Sequence, residues 1–175
     1  MKGIITKQVL LLNADMTVLT TISTKRAIRL YMLHKIVPLK LRDERKFHPT
    51  LDIGYPSIVM MKSFVKVPRR KIPLTRKNIL IRDSYTCQYT GQALNEKNSS
   101  IDHVIPKSHK NSPGNTWRNL VACSKKINNV KDNKTPEEAG LKLIREPFEP
   151  KWDELILKSK FEWKNYFDEI KVNNL

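Results

Sequence analysis

Short apolar strings separated by polar turns dominate the first part of the chain. Gln8 to Asn13 is a nearly continuous apolar run closed by the turn-forming Asn-Ala-Asp, which predicts a short buried strand. Met16 to Ile22 is β-branched and predicted to be extended. Ser23 or Thr24 can then cap a helix in which Ala27, Ile28, Tyr31 and Leu33 recur at helical spacing. Val37 to Leu41 reads as another strand. Pro49, Gly54 and Pro56 mark Arg42 to Pro56 as a polar loop, and Tyr55 to Val67 as a strand that Pro68 stops.

The pattern changes after Pro73. Thr75 is placed to cap a short helix within Pro73 to Tyr85, and Tyr89-Thr90-Gly91 signals a turn. Ser100 to Pro106 and Trp117 to Ala122 read as two strands joined by a Ser-, Asn- and Gly-containing loop at Lys107 to Thr116. A helix is predicted from Ser124 to Asn129. Thr135-Pro136-Glu137-Glu138 combines an N-cap, a proline at the first helical position and early acids, so another helix is expected to start there. Trp152, Ile156, Trp163, Tyr166, Phe167 and Ile170 give the tail an amphipathic stripe that suits a helix packed on the core. The sum is an α+β chain without repeats.

Composition narrows the class. The 175 residues include 33 Lys and Arg against 17 Asp and Glu, for a formal net charge of +16, with 39% hydrophobic residues. That length suits one ordinary domain, or one core with an appended piece. The apolar clusters argue against overall disorder. No apolar run approaches the ~18 residues of a spanning helix, so no membrane association is expected. Nor does the N-terminus read as a signal peptide. Two cysteines cannot make a disulfide framework and fit a reducing, cytoplasmic setting.

The charge is unevenly spread. Met61 to Arg82 carries eight basic residues and no acid, and Val104 to Thr135 carries seven against Asp132 alone. Glu146 to Ile170, by contrast, holds seven acids and four lysines. A basic surface directed at nucleic acid explains this asymmetry better than a uniformly charged coat.

Chemistry concentrates in Asp102-His103, followed by Asn119 and Asn128. Neighbours on a strand point to opposite faces, so Asp102 and His103 can share a site only where the strand is distorted or ends, as Pro106 suggests. An aspartate offers a hard oxygen to a divalent cation. A neutral imidazole can take a proton from water. Asn128, early on the following helix, can add a carbonyl oxygen. Each alone has a plainer structural explanation, since Asp-His pairs are more often structural and single asparagines usually make turns or caps.

Together these residues resemble the HNH endonucleases of the ββα-metal superfamily, in a phage and bacterial branch. Val9 to Asp15, the basic helix from Lys25, Val67-Pro68-Arg69-Arg70, Pro73-Leu74-Thr75-Arg76, Arg82 to Tyr89 and Thr135 to Leu141 carry the resemblance further, over roughly residues 8 to 145. It implies a ββα-metal core at 73–146; residues 1–72 read as an N-terminal β-rich platform before it, and 147–175, which the resemblance does not cover, as a C-terminal helix. His103 would be the general base. Asn119 would orient it and brace the loop, and Asp102 and Asn128 would hold one divalent cation, Mg²⁺ or alternatively Mn²⁺. The reaction implied is hydrolysis of a DNA phosphodiester. Lys66, Arg69, Arg70, Lys71, Arg76, Lys77, Lys107, Arg118, Lys125, Lys126, Lys131 and Lys134 would contact the DNA backbone. The platform could read DNA, form a homodimer or complete the fold. The Lys-, Asn- and Ile-rich composition suggests an AT-rich genome, and the expected setting is the cytoplasm of a bacterial cell, with a phage-encoded origin as the expectation. An HNH fold that binds DNA without cutting it is the competing reading.

The sequence departs from the branch in three places. The usual zinc-holding cysteine positions fall on Cys87, Thr90, Ser124 and Ile127, so no structural zinc is expected and packing by Tyr89 and Ile127 would replace it. A Cys87–Cys123 disulfide is a lesser alternative. Asp132 stands where the branch usually has glycine, at the exit of the last helix. His109 replaces a usual arginine and reads as a solvated loop residue.

Overall fold

A computed structural model of the chain describes residues 8–43, 54–67, 71–159, 163 and 165. The chain forms two compact units, one of residues 1–70 with 160–175 and the other of residues 71–159.

In the first unit, the apolar run at the N-terminus forms strand β1 (Gln8–Leu12), buried from Val9 onward. Asn13 ends it by turning back: its backbone N–H donates to Thr17 O, and Met16 N–H donates to Asn13 O. The chain returns as β2 (Val18–Ser23), and Ser23 Oγ accepts from Arg26 N–H to start helix α1 (Thr24–Met32). Strands β3 (Ile36–Asp43) and β4 (Tyr55–Met61) follow, giving a four-stranded sheet of order β2-β1-β4-β3. β1 and β4 run parallel at its centre, with Leu10 opposite Ile58. Their connection is long enough to contain β2, α1 and β3, as a parallel pair requires. Pro38 is tolerated because β3 is an edge strand. Val9, Leu11, Ile22, Ala27, Ile36 and Val59 form the core beneath α1. The strand expected to reach Val67 ends at Met61. Residues 44–53 of the expected loop lie outside the described residues.

The second unit opens with helix α2 (Arg76–Arg82), capped by Thr75 Oγ1, which accepts from Asn78 N–H at 3.2 Å. Strands β5 (Ser99–His103) and β6 (Leu120–Ser124) pair antiparallel, with Asp102 opposite Val121 and His103 opposite Leu120. Ser124 Oγ then accepts from Ile127 N–H and starts α3 (Lys125–Lys131). The two strands and this helix make the expected ββα arrangement. Arg82 is its internal staple. The guanidinium is buried, pairs with Asp83 at 2.7 Å, and donates to the carbonyls of Trp117, Leu120 and Phe148 at 2.8, 2.6 and 3.0 Å.

Two expected elements need correction. Trp117 to Asn119 is a turn rather than the start of β6, because Asn119 and Leu120 N–H both return to Thr116 O while Arg82 takes the Trp117 carbonyl. At Thr135 the reciprocal cap forms, with Thr135 N–H donating to Glu138 Oε2 and Glu138 N–H to Thr135 Oγ1. No helix follows, because Gly140 adopts φ 64° and closes the turn with Leu141 N–H on Pro136 O. The tail contributes α4 (Trp152–Lys158), whose Leu155 packs with Ile72, Ile79, Ile81, Trp117 and Leu120. The remaining stripe residues Tyr166, Phe167 and Ile170 lie outside the described residues. Among the described residues no helix is long and apolar enough to cross a membrane.

Candidate functional site

β5 ends at His103, the position where alternation would otherwise send Asp102 and His103 apart. Both line one open cleft of about 290 Å³, together with Ile101, Pro106, Lys107, Asn128, Asn129, Asp132 and Asn133. The end of one strand and one face of α3 therefore bring the three residues together.

Asp102 is buried at 6% exposure, and its carboxylate is held from two sides. Tyr89 Oη donates to Oδ2 at 2.6 Å. Lys131 Nζ lies 3.2 Å from Oδ1 and 3.1 Å from Oδ2 and also donates to the His103 carbonyl at 2.8 Å. Burial, and then the bond to Asp102, push the Tyr89 phenol far above its ordinary value, so Tyr89 stays a proton donor to that carboxylate. Asn128 lies one helical turn before Lys131 on the same face of α3, and its Nδ2 donates to Ser100 Oγ at 3.1 Å. That leaves Asn128 Oδ1 without a protein partner among the described residues.

His103 is half-buried, and its Nε2 lies 2.8 Å from Asn115 Oδ1. An amide oxygen accepts, so Nε2 carries a hydrogen, and in the neutral imidazole the lone pair then lies on Nδ1. Asn119 is fully buried and does a different job. Its Oδ1 accepts from Ile105 N–H at 2.9 Å, and its Nδ2 donates to the carbonyls of Ile105 and Gly114, each at 3.0 Å. These bonds close the loop that carries Asn115. Asn119 is expected both to orient His103 and to brace the loop between the strands; its side chain bonds the loop, and it is Asn115 that touches the ring.

The basic residues divide. Lys107 lines the cleft, and Arg118, Lys125, Lys126 and Lys134 are exposed on the same unit. Lys71, Arg76 and Lys77 are all exposed, and the Arg76 guanidinium also donates to Ser99 O and Oγ at 2.8 and 2.7 Å. Lys66 is exposed on the first unit, and Arg69 and Arg70 lie outside the described residues. Lys131 is the correction. Expected at the DNA backbone, it is fully buried with its ammonium turned onto Asp102, out of reach of a phosphate on the surface.

Asn115, Tyr89 and Ser100 escaped the sequence reading as site residues. The polar loop and the buried aromatic were legible, but not what they touch. Cys87 and Cys123 are free thiols, so the disulfide alternative fails. Both are buried in an apolar cluster with Leu80, Tyr89, Leu94, Val121 and Ala122, against which Ile127 packs. Burial, and then the nearby Asp102 carboxylate, push the Cys123 thiol up to about 12.

The donor set suits a hard dication. It offers the Asp102 carboxylate with a remaining lone pair, an unpartnered amide oxygen at Asn128 and further oxygens along the cleft wall, Asp132 among them. Among the described residues no cluster of three or more His, Cys, Asp or Glu side chains is placed to share an ion.

Two family models match successive parts of the chain. One, described as an HNH endonuclease-associated N-terminal domain, covers residues 9–69; the other, described as an HNH endonuclease, covers residues 85–137 and contains the whole cleft constellation. No curated protein matches the sequence.

Proposed function

From the premise that the chain belongs to the HNH endonuclease family, we propose that it hydrolyses DNA phosphodiesters with His103 as general base and one divalent cation, Mg²⁺ or Mn²⁺, held by Asp102 and Asn128. HNH endonuclease domains act on DNA and generally use a divalent metal. The observation that carries the assignment is the convergence of Asp102, His103 and Asn128 on one cleft within the matched segment.

His103 Nδ1 has no protein partner among the described residues, and it takes the proton of the attacking water while Asn115 holds the opposite nitrogen. Asn119 keeps the Ile105–Gly114 loop closed, and so keeps Asn115 in place. Bound at Asp102 and Asn128, the cation would stabilise charge on the scissile phosphate and the leaving oxygen. Lys107 stands at the cleft edge to hold a neighbouring phosphate, and Arg118, Lys125, Lys126 and Lys134 extend the grip. Lys66, Lys71 and Lys77 are exposed and complete the proposed contacts. With about six phosphates neutralised, log affinity falls with log salt at a slope near −5.

The test is a supercoiled plasmid incubated with Mg²⁺ and either the wild-type chain or His103→Ala. Nicked or linear product from the wild type alone supports the proposal. Identical treatment of the plasmid by the two proteins removes it.

A further inference from the structure

Lys131 sits in a basic segment where solvent exposure is the ordinary expectation, yet it is fully buried. Its ammonium directs its donors inward, to Asp102 Oδ1 and Oδ2 and to the His103 carbonyl. Burying an ammonium is costly unless it is paired in this way. The carboxylate it pairs with is also the one proposed to hold the metal. Of the roughly four lone-pair directions on a carboxylate, Lys131 approaches both oxygens and Tyr89 occupies another position on Oδ2. An arriving dication therefore meets an oxygen already compensated by a positive charge.

The rest of the cleft offers no surplus to overcome this. Its lining carboxylates are Asp102 and Asp132, facing Lys107 at the edge and Lys131 behind, and Asn128, Asn129 and Asn133 are neutral. Two negative charges meet two positive ones. The phosphodiester of a bound duplex would supply the negative charge the protein withholds.

We propose that Lys131 is a positioning and charge-balancing residue that makes the divalent cation bind weakly to the free protein and tightly only together with DNA. This rests on the nuclease reading above. Lys131 acts through Asp102 and touches neither substrate nor reacting atoms. It also fixes the spacing of the two ligands, because Lys131 and Asn128 tie the same face of α3 to β5, one through Asp102 and His103, the other through Ser100. The coupling would confine a competent metal site to protein already on its substrate.

The experiment measures Mn²⁺ binding from the electron paramagnetic resonance signal of the free ion. It uses the full chain carrying His103→Ala, so that DNA stays intact, with and without a short duplex, after subtracting ions held by the duplex alone. Mn²⁺ affinity should rise at least about tenfold when duplex saturates the protein, the scale expected for one unit charge beside a dication. Lys131→Met keeps most of the buried stem and removes the charge. It should raise Mn²⁺ affinity without duplex by at least about tenfold and shrink the effect of DNA. A purely structural role predicts the opposite sign, because loosened ligands bind metal less well. Equal or weaker Mn²⁺ binding by a cooperatively melting Lys131→Met protein overturns the proposal. If that variant does not fold, the protein with Lys131 decides, and an unchanged Mn²⁺ affinity on adding duplex overturns it. Failure to bind Mn²⁺ even with duplex bound removes the metal-nuclease reading, and this proposal with it.

Discussion

Asp132 ends α3 with φ 50° and ψ −135°, a conformation in which a Cβ crowds the backbone and which glycine adopts freely. The neighbouring bonds impose it. Asp132 N–H donates to Asn128 O at 2.9 Å, Lys134 N–H returns to Lys131 O at 3.1 Å, and Lys131 is locked onto Asp102. Strain of this kind costs about 1–3 kcal/mol, while introducing glycine costs about 0.4–1 kcal/mol through the freer unfolded chain. A carboxylate at a helix C-terminus also opposes the helix dipole, by about 0.3–1 kcal/mol. Asp132→Gly should therefore stabilise the unit formed by residues 71–159, by about 1 kcal/mol or somewhat more. For a unit of that size this raises the melting temperature by roughly 4–8 °C. Asp132→Ala removes the charge but keeps the Cβ, so it recovers only the dipole contribution. Circular-dichroism melts of the three proteins separate these effects. A glycine variant that melts no higher than the alanine variant would show that the backbone there is not strained.

Other residues carry predictions of equal definiteness. Asn115 is exposed, so Asn115→Ala should leave folding intact while freeing the His103 ring; kcat for plasmid cleavage should fall about 10- to 100-fold at unchanged KM. An unchanged kcat would show that the ring is held by something else. Arg82→Met strands the buried Asp83 carboxylate and three carbonyls, and should cost about 3–5 kcal/mol in urea denaturation; a loss below about 1 kcal/mol contradicts the staple. The folded state keeps the Cys123 proton up to about 12, whereas an unfolded thiol begins to lose its own near the ordinary value of 9.0. Between those values the native state binds more protons, so stability falls as pH rises, and the raised Tyr89 phenol adds in the same direction. Melting temperatures from pH 8 to 11 should decline, less steeply in Cys123→Ala; identical slopes would refute the assignment to this thiol.

Local chemistry was enough to read the caps and the chemical vocabulary. Ser23, Thr75 and Ser124 each accept the N–H bond of the first helical turn, because capping depends only on residues three positions apart. Asp102, His103, Asn119 and Asn128 were recognisable as residue types at telling spacings. What each one touches belonged to the tertiary structure. Lys131 looks like another surface lysine among its neighbours, and only packing of α3 on β5, across 29 residues, turns it inward onto Asp102. The bond from Tyr89 to Asp102 crosses 13 residues, and the contact of Asn115 with His103 crosses 12. The helix promised at Thr135 lost to a glycine at positive φ, and the early part of β6 lost to Arg82 reaching across the unit for a backbone carbonyl. Propensity and periodicity describe forces along a few residues of chain. Where a buried charge finds its partner depends on which distant groups the closed core leaves within reach.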